Sequence, residues 1–82
     1  MERRSARRLR VIKDAEIICN SALLKGVVLN LSANGAWIHL LSPSEVPDEV
    51  VLRLPYGVIR TARRRWQRGS EVGFEFLETI TE

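Results

Sequence analysis

The chain has 82 residues, 45% hydrophobic and 28% charged, with a net charge of +3; that is the composition of one small globule whose modest core must offset its ordering entropy. No run approaches the roughly eighteen apolar residues of a membrane span, and the arginine-rich N-terminus has no apolar stretch behind it, so neither membrane insertion nor a signal peptide is expected and a cytoplasmic location is. Cys19 is the sole cysteine, which excludes an internal disulfide and a cysteine-based zinc site.

Residues 1–13 carry Arg3, Arg4, Arg7, Arg8, Arg10 and Lys13 against one acid, Glu2, and read as a flexible basic arm because nothing in their composition folds alone. "AEIICN" (Ala15–Asn20) and "LLKGVVLNLS" (Leu23–Ser32) are the first two β-type runs, with Cys19 read as a small buried hydrophobe. "GAWIHL" (Gly35–Leu40) is the third, followed by "LSPSEVPDE", a loop by its two prolines and three acids. "VVLRLP" (Val50–Pro55) sets Val50, Leu52 and Leu54 on one face. Tyr56-Gly57 then turns into a long run through Trp66. The closing "EVGFEFLE" alternates, with Val72, Phe74 and Phe76 on one face and Glu71, Gly73 and Glu75 on the wet one.

The fifth run breaks the pattern. Strict alternation puts Val58, Arg60, Ala62, Arg64 and Trp66 together, so an arginine falls on the face meant for the core; a bulge or a snorkelling guanidinium would each reconcile this. Six strands at this spacing predict an all-β fold, a small six-stranded antiparallel barrel that removes exposed edges. Only the last few residues are left open to a short helical turn. The expected organisation is a single domain over 1–82, with the arm at 1–13 and the barrel at 14–82.

Eleven of the thirteen basic side chains lie either in the arm or in residues 60–68 (Arg60, Arg63, Arg64, Arg65, Arg68), an asymmetry that points to an anionic partner. Arginine outnumbers lysine eleven to two. Its planar fork suits bidentate contacts to phosphate and to the O6/N7 edge of guanine, which favours a nucleotide over a merely acidic surface. His39 has no second ligand or catalytic partner, Ser32 has no apparent His–Asp pair, and there is no glycine-rich phosphate loop, so an enzyme is not expected. Trp37, Trp66, Phe74 and Phe76 are read as core before base-stacking platform, with Trp37 partly exposed.

Two motifs remain. "NLSANG" (Asn30–Gly35) reads on its chemistry as a hairpin loop, with Asn and Gly tolerating positive φ and Ser bonding to nearby backbone. Upstream, Arg4 and Arg8 are separated by three residues, and four residues of extended chain reach about 13 Å, so both guanidiniums can close on one ligand. Arg3 and Arg7 form a second such pair one residue earlier. Arg-x-x-x-Arg ahead of the first strand, then Asn-x-Ser-x-x-Gly between the second and third, resembles the PilZ family, and "RRRWQRGSEVGFEFLE" looks like that family's Val-x-Trp strand and closing Gly-x-x-Phe strand.

The resemblance implies a β-barrel that binds the bacterial second messenger cyclic di-GMP and relays the signal to a partner protein, with no cofactor. Carried over by motif position, Arg4 and Arg8 grip phosphate and guanine, Asn30 and Ser32 bond a guanine, and Gly35 lets the backbone approach it; Arg3 and Arg7 are candidates for a second guanine. The sequence departs from the family in Asn30, where many members have Asp, and in Arg64 and Arg65, where Val is commoner. The alternative reading is a small barrel that binds nucleic acid through its arginine clusters.

Overall fold

A computed structural model describes residues 13–77; the arm up to residue 12 and residues 78–82, the candidates for a short helical turn, lie outside the described residues. Six strands, β1 (Lys13–Cys19), β2 (Ala22–Leu31), β3 (Gly35–Leu40), β4 (Glu49–Leu54), β5 (Val58–Arg68) and β6 (Glu71–Phe76), close into an antiparallel barrel in the order β1-β2-β3-β6-β5-β4. The join between β4 and β1 is short, with Glu16 opposite Arg53 and Ile18 opposite Val51. Closure leaves no free sheet edge among these strands.

The core follows the period-2 rule wherever pairing is regular. β1 sends Ala15, Ile17 and Cys19 inward, β4 sends Val50, Leu52 and Leu54, and β6 sends Val72 and Phe74. Ile17, Ile38 and Leu52 are fully buried, each worth about 1.5–3 kcal/mol of apolar burial. Cys19 is a buried free thiol.

Two strands break the rule, each by one residue. In β2 the register slips between Val28 and Asn30, and in β5 between Arg64 and Trp66. A one-residue bulge sends the side chains beyond it to the opposite face. Val28 points into the core, so uninterrupted alternation would turn Asn30 inward as well; the bulge at Leu29 instead sets it opposite Trp37 on the outer surface. The bulge at Arg65 likewise sends Trp66 outward, opposite Gly73.

Arg64 keeps an inward heading, and both devices expected for this run operate together. Its Nη1 donates to Val46 O at 2.8 Å and its Nη2 meets Asp48 Oδ1 at 3.2 Å. Three positions on, the Gln67 amide donates to Ser44 O at 2.6 Å and accepts from Val46 N at 3.1 Å. These bonds hold the β3–β4 loop over the barrel end and seat Val46, 1% exposed, in the core. An arginine where an aliphatic residue was expected is therefore a loop clamp, its guanidinium satisfied by a carbonyl and a carboxylate.

Candidate functional site

The two bulges assemble a row of side-chain positions across four strands of the outer surface: Asn30 (β2), Trp37 (β3), Gly73 (β6) and Trp66 (β5), each opposite the next. This row and the β2–β3 turn line an open cleft of about 700 Å³, with Ser32, Arg65 and Glu75 at its rim. The cleft is concave, mixed apolar and polar, and large enough for a nucleotide base with its phosphates.

Both tryptophans are outside the core, 41% and 40% exposed for Trp37 and Trp66; partial exposure was expected of Trp37, whereas for Trp66 this corrects the expectation that it packs inside. Phe74 is buried as expected and Phe76 packs against the core from its rim. The indoles meet edge to face, centroids 5.7 Å apart and planes at 78°, an arrangement aromatic pairs prefer. Gly73 is buried rather than on a wet face, because the indole of Trp66 occupies the space a β-carbon would need. Trp37 Nε1 donates to Glu71 Oε1 at 3.2 Å.

The turn itself differs from its sequence reading in one physical respect. Asn30, Asn34 and Gly35 all have ordinary φ; positive φ occurs at Asn20, Tyr56, Gly57 and Gly69. Gly35 lacks a side chain because the β6 backbone passes against it, and a β-carbon there would collide with Phe74 O. Ser32 organises the loop: its backbone N–H donates to Gly35 O at 2.9 Å, its hydroxyl donates to the same oxygen at 3.4 Å, and the Asn34 N–H donates to Ser32 Oγ at 3.3 Å. Phe76 N donates to Asn34 O at 2.8 Å, which ties the loop to the end of β6. The long, exposed bonds of Ser32 Oγ leave it capacity for another partner, and Asn30 lines the cleft beside it.

Asn30, Ser32 and Gly35 thus come together at one end of the barrel. Arg3, Arg4, Arg7 and Arg8 lie outside the described residues. Lys13, the first residue of β1, is opposite Val28, two positions before Asn30 on the adjoining strand.

The chain matches the PilZ domain family over residues 2–82. It belongs to the PilZ family. PilZ domains are in general cyclic di-GMP receptors, and the six-stranded barrel expected from the resemblance is the fold observed. Among curated proteins no match is found.

The arginines of β5 are largely spoken for. Arg63 pairs with Glu49 at 3.4 Å, Arg64 with Asp48 at 3.2 Å and Arg65 with Glu75 at 2.8 Å, while Arg53 of β4 pairs with Glu16 at 3.2 Å. Exposed pairs of this kind contribute about 0–1 kcal/mol to stability, yet each offsets a cation that a polyanion would need. Arg60 and Arg68 alone of the five in this segment have no carboxylate partner among the described residues. His39 lies on β3 with Nδ1 4.0 Å from Glu71 Oε2. Among the described residues no group of three potential metal ligands converges, and no helix is long and apolar enough to cross a membrane.

Proposed function

We propose that this PilZ domain binds cyclic di-GMP in the cleft beside the β2–β3 turn and relays the signal to a partner protein. The observation that carries the reading is the convergence of Asn30, Ser32 and Gly35 on one open cleft, at the barrel end where β1 begins. Asn30 and Ser32 offer short hydrogen-bonding groups to a guanine edge. Arg4 and Arg8 supply charge-assisted, bidentate contacts to phosphate and to guanine O6/N7. Arg8 and Arg4 are five and nine chain steps from Lys13, which span at most about 18 and 32 Å, so both guanidiniums can reach a ligand in the cleft. Closing the arm over the ligand changes the surface at that end of the barrel, and the partner reads that change.

Calorimetric titration with cyclic di-GMP tests this directly. Saturable binding is expected, with R8A weakening it by about 1–3 kcal/mol, near ten- to hundredfold. The N30A/S32A double variant should lose affinity under conditions where it remains folded, since hydrogen bonds to a base are not replaced by the scaffold. Absence of binding by the parent chain overturns the proposal, and unchanged affinity in the folded double variant removes the turn from the site. Ionic strength adds a further arm: two ligand phosphates give a shallow salt slope, whereas a nucleic acid contacting many arginines gives a steep one.

A further inference from the structure

The cleft's aromatic corner lies outside both sequence motifs. Trp37 is on β3, two positions past Gly35, where strand alternation turns its side chain away from the core. A large indole left 41% exposed sacrifices apolar burial that a smaller residue at a surface position would not forgo. Its surroundings fix it in place. Glu71 Oε1 accepts from its Nε1 at 3.2 Å, and Trp66 meets it at 78° from the side. Trp66 is in turn held by the absent side chain of Gly73. A rigid aromatic wall therefore stands beside Asn30, its register partner on β2 and a hydrogen-bonding group for a base edge.

We infer that Trp37 is a ligand-binding residue of this cleft: its indole stacks on a purine base whose edge is read by Asn30, and Glu71 is the positioning residue that holds the ring. The inference deepens the cyclic di-GMP reading and rests on it. Two indole planes nearly at right angles suit a planar heterocycle, which can lie against one ring while presenting its edge to the other. Base-on-indole stacking strengthens binding by about five- to a hundredfold per base, the scale needed to hold a purine on an open surface. Arg68, which has no carboxylate partner among the described residues, lies with Trp37, Trp66 and Glu71 around a continuation of the corner. That leaves a cation available on the ligand's far side.

The test is calorimetric titration of cyclic di-GMP into the parent chain and into W37A, W37L and W37F, with the thermal midpoint of each ligand-free protein measured alongside. W37A and W37L should bind at least about tenfold more weakly than the parent, and W37F within a few-fold of it, because phenylalanine restores a π face and leucine restores only apolar cover. E71Q keeps an acceptor for Nε1 and should retain affinity; E71A should lose part of it without a matching fall in midpoint. Both tryptophans lie in the cleft, so ligand should also quench the parent's intrinsic fluorescence, and quench W37F less. Parent binding with W37L as tight as W37F overturns the stacking role and leaves the receptor reading intact. A parent chain that neither binds nor is quenched by cyclic di-GMP overturns both.

Discussion

The cleft wall and the β4–β5 turn both depend on glycine, and for opposite reasons. Gly35 and Gly73 have ordinary backbone angles and no room: a β-carbon would strike Phe74 O in the first case and the Trp66 indole in the second. Gly57, in the 3₁₀ turn Pro55–Gly57, has ample room and an unusual backbone angle, φ +75° with nothing within 4 Å. One region spends its glycines on close approach and the other on conformation. Close approach is what lets β3 and β6 carry a cleft with tryptophans above it, whereas the turn only has to reverse the chain.

The comparison breaks most sharply at Gly35. Its obstacle is the backbone of β6, with Phe74 C at 3.2 Å and Glu75 Cα at 3.4 Å from the β-carbon position in addition to Phe74 O. Backbone in a paired strand cannot step aside without disturbing the ladder, so Gly35→Ala should destabilise the domain by about 2–4 kcal/mol in a denaturant titration. A cost below about 1 kcal/mol would mean that β3 and β6 separate more easily than their pairing implies. Such a variant also cannot serve as a test of ligand contact, because it moves the cleft floor.

Gly73→Ala comes next, since what it meets is a side chain. Trp66 can swing away at a cost of about 1–3 kcal/mol, in lost packing and a disturbed indole pair. The informative readout is tryptophan emission, which should shift toward the red as Trp66 becomes wetter, along with a lower urea midpoint. A midpoint and spectrum equal to the parent's would show that Trp66 does not rest on Gly73 in solution.

These two glycines also mark where sequence reading stops. Strands with unbroken alternation were legible: Val50, Leu52 and Leu54 point inward as their spacing predicts, and β3 runs from Gly35 to Leu40 as expected. The bulge in β2 was not, and the one in β5 showed only as one of two ways around the misplaced Arg64, because an inserted residue leaves the composition of a strand intact while reversing everything after it. Without the slip at Leu29 the outward position of Asn30 has no signal, and without the slip at Arg65 Trp66 reads as core. The "NLSANG" motif led to the cleft end of the barrel through the wrong physics for its glycine, since the clash with β6 is a contact between residues some forty positions apart that no local pattern encodes. Arg64 is similar: its spacing announced a conflict, and only the fold supplies the carbonyl of Val46 that resolves it.

On the turn side of the comparison the effects are smaller, because strain there is local. Gly57→Ala meets no atom and has only the left-handed backbone to oppose it, so a loss of about 1 kcal/mol is expected. Its size relative to Gly35→Ala is the quantity of interest. Equal losses would erase the distinction between close approach and conformation.

Tyr56 offers the smallest effect, because opposing terms nearly cancel there. It holds φ +67° without the freedom of glycine and is 76% exposed, with Lys13 Nζ 5.4 Å from its ring centroid. Left-handed backbone costs a residue with a β-carbon about 1–2 kcal/mol, and an exposed cation–π contact returns about 0.5–1 kcal/mol. Glycine would relieve the strain but adds about 0.5–1 kcal/mol of unfolded-state entropy. The sum leaves Tyr56→Gly within about 1 kcal/mol of the parent, whereas Tyr56→Asn, which tolerates the left-handed region with less added entropy, should be the more stable of the two by a few tenths to about 1 kcal/mol. Thermal unfolding of both variants, each also in a Lys13→Ala background, separates the terms: removing Lys13 should lower the parent's midpoint and leave the two variants unmoved. If Lys13→Ala lowers all three equally, the ring contributes nothing through the cation, and the strain at residue 56 is balanced by something other than the contact above it.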